Sequence, residues 1–279
     1  MPIRPLYRGF LRFLETVRPG SDAWGAYQRH YLEPNRAVLD AAWNQCVGLD
    51  EDSRRARVRR VRPEHYAHLR ELLGGEHPVP IVRQALDRCR EALTMEAEPT
   101  VDLLVGFFSP DGFVFRVGAE WEIGIGLERY RSWHLLPIVI VHEVAHWVRR
   151  RWRPEAGATV AERMAAEGLS VAFSQAVYPE RPLAEHLRLS RQSLEWLEAH
   201  EASLWRLVRR RLEAAEPALL FGPTADVRSG REAPPRSWVY LGYRAVSAFL
   251  VASDERWPSE AALALPAPAL LEASDLGGT

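Results

Sequence analysis

The stretch Leu135-Leu136-Pro137-Ile138-Val139-Ile140-Val141-His142-Glu143-Val144-Ala145-His146-Trp147-Val148 decides how this chain is read. Its apolar run, with a proline near the start, predicts a helix from about Leu135 or Pro137 to Arg151, stopped by Pro154. His142, Glu143 and His146 stand inside it as H-E-x-x-H. Residues four apart on a helix lie one turn up on the same face, so both imidazoles can reach one ion. Glu143 is offset by one residue, which puts its carboxylate beside a water on that ion instead of on the ion itself. Polar side chains in so apolar a helix need partners or a purpose, because unpaired burial costs roughly 2–7 kcal/mol. The spacing points to a metal centre.

A catalytic zinc takes three protein ligands and keeps one position open. The next predicted helix starts at Thr159, where Thr159-Val160-Ala161-Glu162 has the T-x-x-E form of a capping box, and ends near Val177 before Pro179. It offers Glu162 and Glu167. Glu167 lies about 20 residues beyond His146, close to the interval at which thermolysin-like enzymes place a third-ligand Glu. It shares a stripe with Val160, Met164 and Val171, although Glu162 has an apolar stripe of its own with Ala166, Leu169 and Phe173. The capping box already gives Glu162 a role on the Thr159 N–H. Glu167 is the expected ligand, with Glu162 the alternative and otherwise a capping or supporting group. Gly168 is expected to let the two helices approach closely.

Upstream, Thr100 to Phe108 is rich in β-formers, Ser109-Pro110-Asp111-Gly112 is turn chemistry, and Phe113 to Val117 reads as a second strand. Trp121 to Leu127 alternates large apolar residues with Glu122, Gly124 and Gly126, a third strand with one bare face. Helices are expected from about Pro80 to Met95, Leu183 to Ala214, Ser237 to Ala252 and Ser259 to Ser274, with a Pro/Gly-rich loop from Pro217 to Pro235. The fold class is α+β: a small antiparallel sheet followed by a mostly helical C-terminal half. Residues 1–75 read as an N-terminal helical extension and 76–279 as the main domain.

The chain has 279 residues and ordinary globular composition, with 47% apolar and 26% charged residues. All 36 basic residues are Arg, set against 37 acidic ones, for a net charge of −1. That balance removes the usual electrostatic case for nucleic acid or an anionic membrane. The N-terminus lacks an uninterrupted apolar segment and a small-residue cleavage site, so neither a signal peptide nor an anchor is expected. Two cysteines, Cys46 and Cys89, fit a reduced cytoplasmic setting. His65, His68, His186 and His200 read as solvated surface histidines.

His142-Glu143-x-x-His146 followed by Glu167-Gly168-Leu169-Ser170 resembles a bacterial family of predicted zinc-dependent proteases that pairs HExxH with a downstream EGLA segment. That family also tends to carry a Gly-Tyr-rich helix near its C-terminus and then a short Leu-rich helix ending in Ser. Tyr240-Leu241-Gly242-Tyr243-Arg244 and Leu270-Leu271-Glu272-Ala273-Ser274 are similar here, so the likeness covers roughly residues 80–276. Ser170 departs from the usual Ala, and Val239 stands before Tyr240 where the family tends to have Gly. The resemblance implies a gluzincin-like metallopeptidase with a zincin-like fold and one Zn²⁺ held by His142, His146 and Glu167.

In such a site Glu143 would take a proton from water and pass it to the leaving amine. Tyr243 is the candidate oxyanion donor, with Tyr240 and Arg244 behind it; the alternative is a core tyrosine beside a packing glycine. The strand Trp121 to Leu127 is the candidate edge for an extended substrate. The expected partner is a peptide or unfolded protein segment, with neither nucleic acid nor membrane. The rival expectation is a zincin-fold binding or regulatory module that keeps a metal without peptidase activity.

Overall fold

The computed structural model describes residues 2–93, 97–108, 110–154, 159–215, 224–225, 232–254 and 258–272. The chain divides into two compact units, residues 1–87 with 95–143 and residues 88–94 with 144–279.

The first unit opens with a strand, Ile3–Arg4 (β1), then helices Tyr7–Thr16 (α1), Ala23–Tyr27 (α2), Arg36–Ala42 (α3), Glu51–Arg59 (α4) and Ala67–Gly75 (α5). Helix α1 forms because Tyr7, Phe10, Phe13 and Leu14 repeat at three- and four-residue spacing and are all buried. Phe10 makes edge-on contacts with Phe13, Tyr31, Tyr66 and Phe107 at centroid distances of 4.9–6.0 Å. Tyr31 fastens this aromatic core to the backbone: its hydroxyl accepts from Val105 N at 2.9 Å and donates to Val105 O at 3.0 Å.

Helix Pro78–Ala92 (α6) precedes the strands Thr100–Leu104 (β2), Gly112–Val117 (β3) and Glu120–Gly126 (β4). The sheet order is β1-β2-β4-β3, with β1 parallel to β2, β2 parallel to β4, and β3 antiparallel to β4. The sheet is therefore mixed, where the sequence reading expected an antiparallel one. A two-residue strand at the start of the chain gave no periodic signal to reveal β1. Arg4 holds it in place by a two-pronged pair with the fully buried Asp102, at 2.6 and 2.8 Å, and also reaches Glu122. β4 lies inside the sheet, and the ring of Phe113 occupies the space that a side chain at Gly124 would need. The bare face of β4 thus serves packing and cannot be an edge for substrate. β1 and β3 are the outer strands, and the outer side of β3 is already engaged: Gln45 accepts from Arg116 N at 2.9 Å and donates to Arg116 O at 2.7 Å, and Cys46 Sγ donates to Val114 O at 3.7 Å.

Helix Leu136–Trp152 (α7) starts with a proline in its first turn and ends in Arg149–Arg151, where positive charge suits the helix dipole. In the second unit Val160–Val177 (α8) is followed by Leu183–His186 (α9), Arg191–Val208 (α10), the strand pair Thr224–Ala225 (β5) and Glu232–Ala233 (β6), then Ser237–Ala252 (α11), Glu260–Ala264 (α12) and Ala267–Glu272 (α13). The single helix expected from Leu183 to Ala214 is broken before Ser190, which caps α10 through its own side chain. The last expected helix is split before Pro266, and its end at Ala273-Ser274 lies outside the described residues.

Helices α8 and α11 meet backbone to backbone. A methyl group at Gly168 would run into the Gly242 carbonyl group and come within 2.8 Å of Tyr243 N; one at Gly242 would run into Met164 O. Gly168 thus gives close approach to α11, where the sequence reading expected it to serve the H-E-x-x-H helix. Val160, Met164, Val171, Trp238, Tyr240, Leu241 and Ala245 form the core around this contact, with Leu197, Leu204 and Trp205 from α10.

Candidate metal centre

Helix α7 carries His142, Glu143 and His146; His142 is 2% and Glu143 4% exposed. The four-residue spacing stacks the two histidines on one face, as the period of the helix dictates. Glu167, two turns into α8, joins them: a ligand atom from each of His142, His146 and Glu167 lies within 4.8 Å of the other two. His146 Nε2 and Glu167 Oε1 are 3.4 Å apart, with side chains 19% and 13% exposed. Two donors each about 2.0–2.1 Å from a tetrahedral ion stand about 3.3–3.4 Å apart, so this pair has the separation that zinc requires. The donor set, two imidazoles and a carboxylate, is one that zinc accepts in catalytic centres.

Glu162, the alternative ligand, is engaged elsewhere. Thr159 Oγ1 accepts from Glu162 N at 3.2 Å, which is half of the expected capping box. The Glu162 carboxylate does not turn back to Thr159: it takes Arg149 at 2.8 Å, Arg153 at 3.3 Å and the Ala267 N–H at 3.0 Å. Arg149, 3% exposed, also donates to Leu263 O and Leu265 O at 2.8 and 2.7 Å. This network fixes the last turn of the histidine helix to the end of α12 and the start of α13. Ser170, the departure from Ala, returns its hydroxyl to Ala166 O at 2.9 Å within α8.

Tyr243 sits on α11 and donates its hydroxyl to Gln175 Oε1 at 2.7 Å. Tyr240 and Arg244 both engage Glu201 on α10, at 2.7 and 3.1–3.2 Å. Burial foremost, with Glu201 adding to it, holds the Tyr240 phenol above its usual range. His186 is buried, contrary to the reading of it as a solvated histidine, and its Nδ1 is 2.9 Å from Ser174 Oγ. Desolvation lowers its pKa.

Two residues of the site escaped the sequence reading. Arg236, just before α11, brings its NH2 group to 3.4 Å from Glu167 Oε2. Gly112, the first residue of β3, abuts Glu143: a methyl group there would lie 2.7–2.9 Å from the carboxylate and Cγ of Glu143. Neither carries a motif. The Gly112 contact joins residues distant in sequence, and Arg236 follows two prolines at the end of a loop-like stretch.

A family profile described as "Predicted Zn-dependent protease (DUF2268)" matches residues 123–272. That span is more than half of the chain and runs from within β4 to the end of α13. No curated protein and no solved structure gives a match. No helix among the described residues is long and apolar enough to cross a membrane.

Proposed function

The chain belongs to a family of predicted zinc-dependent proteases, and we propose that it is a zincin-like metallopeptidase with one Zn²⁺ per chain. The observation that carries this reading is the convergence of His142, His146 and Glu167 beside a buried Glu143. These three residues would hold the ion. When bound, zinc lowers the pKa of a water towards about 7 and polarises a carbonyl oxygen.

The remaining chemistry falls to the chain. Glu143 accepts a proton from the attacking water on its carboxylate and delivers it to the leaving amine. Its burial keeps competing solvent away, and Gly112 leaves room for the carboxylate. The substrate is a peptide or unfolded protein segment, whose scissile carbonyl must reach the group formed by His142, His146, Glu167 and Glu143. Tyr243 remains the candidate oxyanion donor only if it exchanges its bond to Gln175 for one to substrate.

The test is metal content per chain, measured on wild type and Glu167→Ala prepared without chelator, followed by hydrolysis of a peptide library. The expected result is close to one zinc in wild type, a clear loss in Glu167→Ala, and peptidase activity that Glu143→Gln abolishes with zinc retained. A wild-type protein that takes up no zinc overturns the reading. A zinc-loaded protein inert towards every peptide pool leaves a metal-holding binding module.

A further inference from the structure

We infer that Arg236 is the positioning residue for Glu167 and makes this carboxylate a one-oxygen metal ligand. The inference rests on the zinc reading above and extends it to the chain's own support of the site.

Arg236 occupies a costly backbone position. It is the residue before α11 and has φ +67°, ψ 16°, the left-handed region that non-glycine residues seldom enter. Nothing in helix capping calls for it, since its side chain caps no N–H of α11. Such strain persists where the surroundings over-determine the residue. The surroundings here are specific: Nε donates to Leu187 O at 2.9 Å, and NH2 lies 3.4 Å from Glu167 Oε2. The side chain is 15% exposed.

The two oxygens of Glu167 therefore face different groups. Oε1 stands at 3.4 Å from the ligand histidine His146, and Oε2 faces the guanidinium. The Leu187 carbonyl sets the plane of the fork, and the fork in turn keeps Oε2 off the ion. A lysine could not do both, because its single ammonium cannot serve two acceptors in the directions that the planar guanidinium serves. With Oε1 alone available, Glu167 fills one coordination position. Two histidines and one oxygen then leave the fourth position open for water or substrate, as a catalytic centre needs. A carboxylate released from Arg236 would be free to bind through both oxygens and occupy that space.

The experiment compares wild type, Arg236→Met and Arg236→Lys, full-length, by two readouts that do not depend on turnover. Zinc affinity is measured by competition with a chromophoric chelator. The visible spectrum of the Co²⁺-substituted protein reports coordination number, because four-coordinate Co²⁺ absorbs far more strongly than five- or six-coordinate Co²⁺. Both variants are expected to bind zinc 10–100-fold more weakly, the range for losing a group that orients a ligand, and to show weaker Co²⁺ bands. Folded variants that bind zinc within about twofold of wild type, with a wild-type cobalt spectrum, overturn the assignment of Arg236 alone. A wild type that binds neither metal overturns the zinc reading and this one with it. If Arg236→Met fails to fold, Arg236→Lys, which keeps the charge and most of the volume, decides.

Discussion

Gly112 and Glu143 are in such close apposition that no side chain fits between them: a Cβ on Gly112 would lie 2.7 Å from Oε1, 2.8 Å from Cγ and 2.9 Å from Cδ of Glu143. Three atoms of one side chain are involved, so a small rotation of the carboxylate does not relieve the contact. Glu143 is buried, which leaves it little room to retreat.

Gly112→Ala should accordingly displace Glu143 and leave the three metal ligands in place. The expected outcome is at least a tenfold fall in kcat, on the order of the loss when a proton-transfer group is misplaced, with zinc content unchanged. Parallel metal analysis and peptidase kinetics check it. An unaltered kcat would show that Glu143 has freedom which the packing denies it.

Tyr243→Phe separates two roles for the tyrosine. Loss of a true oxyanion donor lowers kcat by roughly 10²–10³. Because the hydroxyl proton is committed to Gln175 at 2.7 Å, the expected loss is less than about tenfold, and steady-state kinetics on the purified variant decide between them.

Arg149→Met removes donors from Leu263 O, Leu265 O and Glu162 at once. Breaking a buried pair by deleting one partner costs about 3–5 kcal/mol, and Glu162 keeps Arg153 and the Ala267 N–H, which favours the lower end. The expected drop in Tm is about 6–12 °C, read by thermal denaturation. A change of only a degree or two would mean that the C-terminal helices are held by something other than this network.

Gly168→Ala should destabilise by about 3 kcal/mol, the upper part of the usual overpacking range. The added methyl meets backbone of α11, and no rotamer change can relieve that. Denaturant titration measures it. Because Glu167 is the preceding residue, weaker zinc binding is expected alongside.

The pH profile of stability tests Glu128. Its Oε1 accepts the N–H groups of Gly106 and Phe108 at 2.6 and 2.8 Å, yet burial outweighs these bonds and pushes its carboxyl up to about 7. The unfolded chain ionises such a group near pH 4.3. Between those values the folded protein keeps a proton that the unfolded chain has released, so stability falls as pH rises and levels off above about 7. The effect is about 4 kcal/mol at most. Wild type should lose more stability between about pH 5 and 7.5 than Glu128→Gln. The difference between the two proteins isolates Glu128 from Glu122, which burial and then Asp102 also push up to about 7. Identical profiles would refute the assignment.

What could be read without coordinates was local. His142, Glu143 and His146 lie within one helical turn and a residue, so their shared face follows from helix period alone. Glu167 was legible because an apolar stripe and an interval of about 20 residues both bear on it. The choice against Glu162 needed more, since two carboxylates on one helix look alike until their partners are known. Nothing in the sequence sets Arg149, which captures Glu162, apart from Arg150 and Arg151 beside it.

The alternating pattern of Trp121 to Leu127 correctly marked a strand, yet placed it at the wrong position in the sheet. Alternation reports which face a side chain takes, while strand order depends on pairing between distant segments. The neighbours of β4 are β2 and β3, and Gly124 is bare because Phe113 lies over it.

The sequence by itself determined the mixed composition of helix and strand, the helix bearing H-E-x-x-H and the pair of histidines on one face, because each rests on periodicity within a few turns of chain. Tertiary structure alone decided that Ile3–Arg4 supplies a strand held by Asp102, 98 residues away, that β4 lies between β2 and β3, and that Arg236 and Gly112 bear on Glu167 and Glu143. Those relationships are set by which backbones approach one another, and no period in the sequence records such an approach.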